Sequence, residues 1–258
     1  MPLRVLILSG TTEASALAAL VADDPRCDAT LSLAGRTQLP RPSALATRVG
    51  GFGGSEGLAR FLAEHSVEAV VDATHPYADQ MSANAAAACA RQGVPLATIV
   101  RAAWQPKPGD RWQAVPTSSH AAAALGDTPR RVFLALGRQD LPLFTAAPQH
   151  FYVARVIEPP EPALLPPRIQ VVTARGPFDL AGELALLRDG RIDVLVSRNS
   201  GGSATYAKIE AARTLALPVV MIERPHKATG QVVGSAREAL RWLQQRFHDP
   251  PSLSRRGV

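Results

Sequence analysis

The sequence predicts an α/β protein of two lobes, each an open, mostly parallel sheet with helices on both faces. Three observations predict it. Short apolar runs of strand length alternate with longer Ala- and Leu-rich stretches at helical spacing. Most apolar runs end in a tight turn rich in Gly, Ser or Thr, as strand-to-helix connections of a parallel sheet do. The alternation breaks once, at Pro106, Pro108, Gly109 and Pro116, and then resumes.

The elements follow in order. Residues 4–8 form a first strand, then Ser9-Gly10-Thr11-Thr12 and a helix over 13–22. Strands follow at 29–34 and 47–49, the latter leading through Gly50-Gly51-Phe52-Gly53-Gly54 into a helix over 55–65. A strand at 69–73 enters Thr74-His75-Pro76-Tyr77 and an Ala-rich helix over 78–92, and 95–100 is a fifth strand. Residues 104–117 read as a Pro-rich crossover. Beyond it, helices fall at 118–125, 178–189, 204–215 and 235–247, with strands at 131–136, 151–156, 169–173, 194–197 and 219–222. The expected organisation is a lobe over 1–103, the crossover, a second lobe over 118–247 and a frayed tail over 248–258. Both lobes are Rossmann-like in this reading, with a ligand cleft between them.

Composition sets the class. Hydrophobic residues make up 46% and charged residues 19% of the 258-residue chain, the balance of a core-forming protein. No apolar run approaches the ~20 residues of a membrane span, and a single Arg4 before a short run reads as a first strand rather than a leader. Cys27 and Cys89 make neither a disulfide framework nor a metal spacing. The expectation is a soluble, cytoplasmic protein, monomeric, without a metal and without a membrane partner. The formal charge of +6 comes almost wholly from arginine, since Lys107, Lys208 and Lys227 are the only lysines. The cations are scattered and aromatics are only 5%, which argues against nucleic acid. A polyanionic small molecule accounts for the excess, and so does a composition bias toward Arg, Ala and Pro.

Open parallel sheets bind ligands beyond the carboxyl ends of their strands, so the turns there carry the functional reading. Gly10-Thr11-Thr12-Glu13 has one glycine where the dinucleotide fingerprint has three. It still places backbone N–H groups and two hydroxyls at a helix start, which suits a pyrophosphate and equally an ordinary capped helix. Gly35-Arg36-Thr37 follows the second strand, where an acid reads the ribose of NAD and an Arg reads the 2′-phosphate of NADP. The Arg points to NADP. The four glycines around Phe52, including Gly51 and Gly53, permit close approach of backbone to a ligand or a merely flexible turn. Asp72, Thr74, His75 and Tyr77 crowd one strand end, with His75 able to donate to a carboxylate or relay a proton, against the alternative of a histidine held only by structure.

In the second lobe, Ser197-Arg198-Asn199-Ser200-Gly201-Gly202 with Thr205-Tyr206-Ala207-Lys208 is the densest polar cluster and reads as an anion site. Arg138 and Arg175 end neighbouring strands there as candidate carboxylate clamps, against the alternative of surface salt bridges. No P-loop, nucleophile elbow or zinc motif is present, so phosphoryl transfer, serine hydrolysis and zinc chemistry lack their usual parts, whereas hydride transfer needs few protein groups because a cofactor carries the hard chemistry.

These segments together resemble the precorrin-6A reductase family of cobalamin biosynthesis. The resemblance runs from about Leu3 to about Leu243. Its matching stretches include Gly10–Ala14, Ala34–Thr37, Gly50–Gly54, Asp72–Ala78, Ser197–Gly202, Thr205–Lys208 and Pro218–Pro225, of which Thr74-His75-Pro76-Tyr77-Ala78 and Ser197-Arg198-Asn199-Ser200-Gly201-Gly202 are the specific parts. It implies NADPH-dependent reduction of the C18–C19 double bond of precorrin-6A, with either a metal-free or a cobalt-containing macrocycle. It further implies NADP held by Gly10–Glu13, Gly35–Thr37 and the turn after Val71, and a polycarboxylate tetrapyrrole against the second lobe. Arg138, Arg175, Arg198, Asn199, Ser200, Gly201 and Lys208 are then substrate-binding candidates. His75, Tyr77, Ser200, Tyr206 and a bound water are the candidate proton donors. A non-redox tetrapyrrole enzyme and a non-catalytic NADP or tetrapyrrole binder remain the alternatives, separated from the reductase by NADP binding and by turnover.

Overall fold

The computed structural model describes residues 1–35, 42–228 and 230–247. The chain divides into two compact units, 1–101 with the described part of 226–258, and 102–225. Each contains one six-stranded sheet, and every paired strand runs parallel.

In the first unit β1 (Leu3–Leu8), β2 (Cys27–Leu33), β3 (Ala46–Val49), β4 (Ala69–Asp72) and β5 (Leu96–Ile99) come in sequence. The sheet is completed by β12 (Gln231–Val233), giving the spatial order β12-β5-β4-β1-β2-β3. Reversed, this is the Rossmann order 3-2-1-4-5-6. Strand alternation explains its two cores. Leu3, Val5 and Ile7 face α1 (Thr12–Ala22) and α7 (Ala236–Gln244), whereas Leu6 and Leu8 face α2 (Gly54–Glu64) and α3 (Asp79–Gln92). A strand buried on both faces is apolar at every position, which is why 5–8 reads as a continuous run. In α7 the residues Ala239, Trp242 and Leu243 recur at helical spacing and lie in the same core as Leu17 and Val21 of α1.

The second unit repeats the plan. Its strands are β6 (Arg111–Val115), β7 (Arg131–Ala135), β8 (Phe151–Val156), β9 (Ile169–Thr173), β10 (Val194–Arg198) and β11 (Pro218–Ile222), in the order β6-β11-β10-β7-β8-β9. Phe133, Leu195 and Met221 pack with Leu187 of α5 (Leu180–Asp189) and Ile209 of α6 (Ala207–Thr214). Beyond β7 a 3-10 helix, Arg138–Ala146, replaces the expected short turn, and its Phe144 ring meets Tyr152 edge-on. The remaining helix, α4, spans Ser118–Ala124.

Two expectations about organisation need correction. Residues 104–117 are not only a crossover, because 111–115 form β6 and pair with β11 from Arg111↔Pro218 to Val115↔Ile222. The second lobe does not extend to 247, because β12 pairs with β5 and α7 packs in the core of the first unit. Each unit thus takes its sixth strand from outside its own run of five. The second is preceded by its sixth strand, and the first recovers its own from the end of the chain. Local pattern cannot show this, since a three-residue strand with two exposed positions has no periodic signature. The tail over 248–258 lies outside the described residues.

Candidate functional site

At the carboxyl end of β1, Thr11 caps α1: its Oγ1 accepts from the Ala14 N–H at 3.2 Å and donates to the Ala73 carbonyl at 2.8 Å. One hydroxyl therefore caps the helix and ties the turn after β1 to the turn after β4. The same two turns touch at Gly10, where a Cβ would sit 3.3 Å from the His75 nitrogen, so a side chain here crowds the β4 turn. Glu13 accepts from Thr12 Oγ1 at 3.1 Å and from Arg101 Nη1 at 2.9 Å. Burial works to raise its carboxyl pKa, but its own backbone N–H, Arg101 and the two threonine hydroxyls outweigh that and hold it below the usual range. A groove of about 690 Å³ along α1 and the start of α7 meets this turn at Thr12 and Glu13 and continues past Leu20 and Arg237.

The turn after β4 is held from beneath by a buried polar network. Asp72 Oδ1 accepts from the Thr74 N–H at 3.0 Å and Thr74 Oγ1 at 2.6 Å, and Oδ2 accepts from Ser82 Oγ at 2.5 Å. Lys227 completes it, with Nζ 3.3 Å from Asp72 Oδ2 and donating to Thr74 Oγ1 at 3.1 Å and the Thr74 carbonyl at 3.3 Å. Thr74 thus positions the turn from within the protein. His75 Nδ1 accepts from the Tyr77 N–H at 3.3 Å, which puts the proton of the neutral ring on Nε2. The two rings lie 5.6 Å apart. Sequence reasoning placed Asp72 in this cluster without giving it a role, and assigned none to Ser82 or Lys227. Ser82 is ten residues from Asp72 and Lys227 is 155, so only folding brings them together.

The glycine turn after β3 is ordered. Arg48 reaches it from β3, and Phe52 packs edge-on to Phe61 with ring centroids 5.1 Å apart. Gly53 precedes α2 at φ +80°, a left-handed conformation that suits glycine. A Cβ on Gly50, Gly51, Gly53 or Gly54 would meet nothing within 4 Å. The turn therefore presents an open backbone surface at a helix start. Gly35, at φ +71°, packs against Val49 and Gly50. Arg36 and Thr37 lie outside the described residues.

In the second unit the polar cluster divides. The Asn199 carboxamide clamps the Trp104 backbone, accepting from its N–H at 2.8 Å and donating to its carbonyl at 3.0 Å. Gly201, at φ +65°, leaves room that a Cβ would fill at 2.2 Å from the Ala102 carbonyl oxygen. Tyr206 Oη accepts from Arg213, which also binds Asp110 through Nε at 2.9 Å. Lys208 is only 4% exposed and donates to the Thr205 carbonyl at 2.7 Å, with its ammonium 4.8 Å from the Trp104 ring centre. Burial pulls it down to about 7, against the opposing pull of the Glu183 carboxylate. Glu183 is itself buried and paired to Arg155 at 2.7 Å. Each of Asn199, Gly201, Tyr206 and Lys208 thus lies against other groups of its own unit, Gly201 and Lys208 buried and Asn199 and Tyr206 half-buried. Ser200 is buried, Arg198 pairs with Asp140 at 2.6 Å, Arg138 pairs with Glu158 at 3.3 Å, and Arg175 is exposed.

Two further features bear on chemistry. Burial raises both thiols, Cys27 to about 11 and Cys89 to about 12, so neither supplies a thiolate near neutral pH. Among the described residues no cluster of His, Cys, Asp and Glu is arranged to hold a metal, and no helix is long and apolar enough to cross a membrane.

Comparison with known proteins adds independent findings. Residues 4–244 match the family model described as Precorrin-6x reductase CbiJ/CobK. A precorrin-6A reductase of Sinorhizobium sp is 53% identical over 237 residues, 92% of this chain and 91% of that protein. A cobalt-precorrin-6A reductase of Priestia megaterium is 30% identical, over 93% of this chain and 97% of that protein. A solved structure titled CobK precorrin-6A reductase superposes with a TM-score of 0.91 at 47% identity, covering 97% of this chain and 100% of that one.

Proposed function

The chain belongs to the Precorrin-6x reductase CbiJ/CobK family, and from that premise we propose that it reduces precorrin-6A to precorrin-6B with NADPH. The observation that carries the cofactor half is the open glycine surface after β3, beside the Gly35 turn and on the same sheet edge as Thr11 and His75. The closer relatives in the family support the metal-free macrocycle, since the Sinorhizobium protein shares far more sequence than the cobalt-precorrin enzyme of Priestia.

In this reading Gly10, Thr11 and Thr12 offer helix-start N–H groups to the pyrophosphate. Gly35, Arg36 and Thr37 receive the 2′-phosphate, and Gly51 and Gly53 let backbone approach the nucleotide. Glu13, already paired with Arg101, orders its turn without adding an uncompensated charge. NADPH supplies the hydride when bound. His75, held with its proton on Nε2, and Tyr77 are the donors the first unit offers for the accompanying proton; Ser200 is the candidate from the second. Arg138, Arg175 and Arg198 serve the substrate carboxylates. Arg138, exposed at its surface and 3.3 Å from the half-buried Glu158, turns to a substrate carboxylate in this reading. Asn199, Gly201, Tyr206 and Lys208 support these groups from within the unit.

The experiment is a titration of the chain with NADPH and NADH, repeated with Arg36→Ala. Expected is NADPH binding that weakens by about 1–3 kcal/mol in the variant, with weak NADH binding throughout. Absence of binding by the unmodified chain overturns the cofactor reading.

A further inference from the structure

A turn with four glycines in five residues has more freedom than its neighbours, and a flexible loop has to be ordered by its ligand at an entropic cost. The structure shows how this one avoids that cost. Arg48 points from β3 across the turn. Its Nη1 donates to Ser32 Oγ at 2.8 Å and to the Gly50 carbonyl at 3.0 Å, and its Nη2 donates to the Gly51 carbonyl at 3.1 Å. The guanidinium carbon lies 3.8 Å from the centre of the Phe52 ring and 5.3 Å from that of Phe61. One side chain therefore holds the β2 strand end, two glycine carbonyls and the aromatic residue at the middle of the turn. Ser32 and Arg48 are register partners on β2 and β3, so the bridge runs between adjacent strands close to where both end. Gly35 rests on Val49 and Gly50, so whatever places Gly50 also places Gly35.

We propose that Arg48 is a positioning residue of the nucleotide site, holding Gly35 and the Gly50–Gly54 turn as one preformed surface through Ser32, two backbone carbonyls and Phe52. The proposal rests on the reading of these turns as the cofactor site. Arg48 need not touch the cofactor: its bonds point inward, to the protein. A lysine cannot reproduce the arrangement, because only a planar fork reaches three acceptors while its central carbon stays over a ring.

The test uses the full chain with Arg48→Met, Arg48→Lys, Ser32→Ala and Phe52→Leu, with NADPH affinity, KM for NADPH, kcat and thermal unfolding measured for each. Expected for Arg48→Met is a loss of about tenfold or more in NADPH affinity and the same rise in KM, with kcat at saturating NADPH within about twofold. Arg48→Lys recovers part of the affinity, and Ser32→Ala loses less than Arg48→Met. A folded Arg48→Met that binds NADPH as the unmodified chain does overturns the proposal, as does an equal fall in kcat without a change in KM. Where Arg48→Met fails to fold, Ser32→Ala and Phe52→Leu decide: weakened affinity in both upholds the proposal and unchanged affinity in both overturns it. Failure of the unmodified chain to bind NADPH removes the cofactor reading and this inference together, whereas binding that is indifferent to Arg48 removes only the inference.

Discussion

Lys208 shows how much a residue's surroundings change its meaning. Its place three residues after Thr205 suggested an anion ligand, yet the side chain turns inward onto Trp104 and the Thr205 carbonyl. A buried ammonium with its pKa lowered to about 7 has a signed consequence. The unfolded chain titrates this group near pH 10.4, so between about 7 and 10 the unfolded state binds the additional proton and stability rises with pH. The contribution is absent below about 7 and complete above about 10. Unfolding in urea at about pH 7 and about pH 9 should show the unmodified chain gaining stability over Lys208→Met by up to about 2 kcal/mol. A flat difference would show that Lys208 is not buried as a charge-sensitive group. Asp72 and Lys227 teach the same lesson from the other side, since their pairing rests on a separation of 155 residues that no window of sequence spans.

At the scale of elements, most of the architecture was legible because each strand buried on both faces is a short apolar run ending in a turn residue. β6 was not, because Arg111, Gln113 and Ala114 are exposed on an edge strand next to prolines. The helices with hydroxyl caps, α1 at Thr11, α4 at Thr117 and α7 at Ser235, start within one residue of the expected position. The start of α2 depends instead on a close approach. A Cβ on Gly57 would lie 1.7 Å from the Phe52 carbonyl oxygen, so the first turn of α2 and the glycine turn interlock there. Gly57→Ala should displace Phe52 and weaken NADPH binding about tenfold, a loss of about 1.4 kcal/mol, while far-ultraviolet circular dichroism keeps its helical signal. Retained affinity would show that the turn adapts without consequence.

For the whole molecule, the decisive feature is that the chain leaves the first unit after five strands and returns to it for the sixth. Residues 102–225 contain all six strands of the second sheet, so that segment alone should fold and unfold cooperatively. Residues 1–101 alone lack β12 and α7, and with them Val233, Ala239, Trp242 and Leu243 of their core. A chain ending at 225 should therefore unfold its first unit or aggregate, while the second keeps its transition. Calorimetry on the two segments checks this, and a stable 1–101 segment would contradict it.

The sequence by itself determined the α/β class, the two parallel sheets, the turns that gather at the strand ends and the family, because short apolar runs, turn chemistry and motif spacing are local properties of the chain. Only the tertiary structure decided which sheet owns the last strand, that Asn199 and Lys208 serve the interior, and that Arg48 and Lys227 hold the turns of the candidate site. Those depend on which groups burial leaves facing one another. A hydrogen bond or ion pair between distant residues is chosen by the geometry of the packed chain, where an unpaired polar group is costly, and leaves no periodic trace in the sequence.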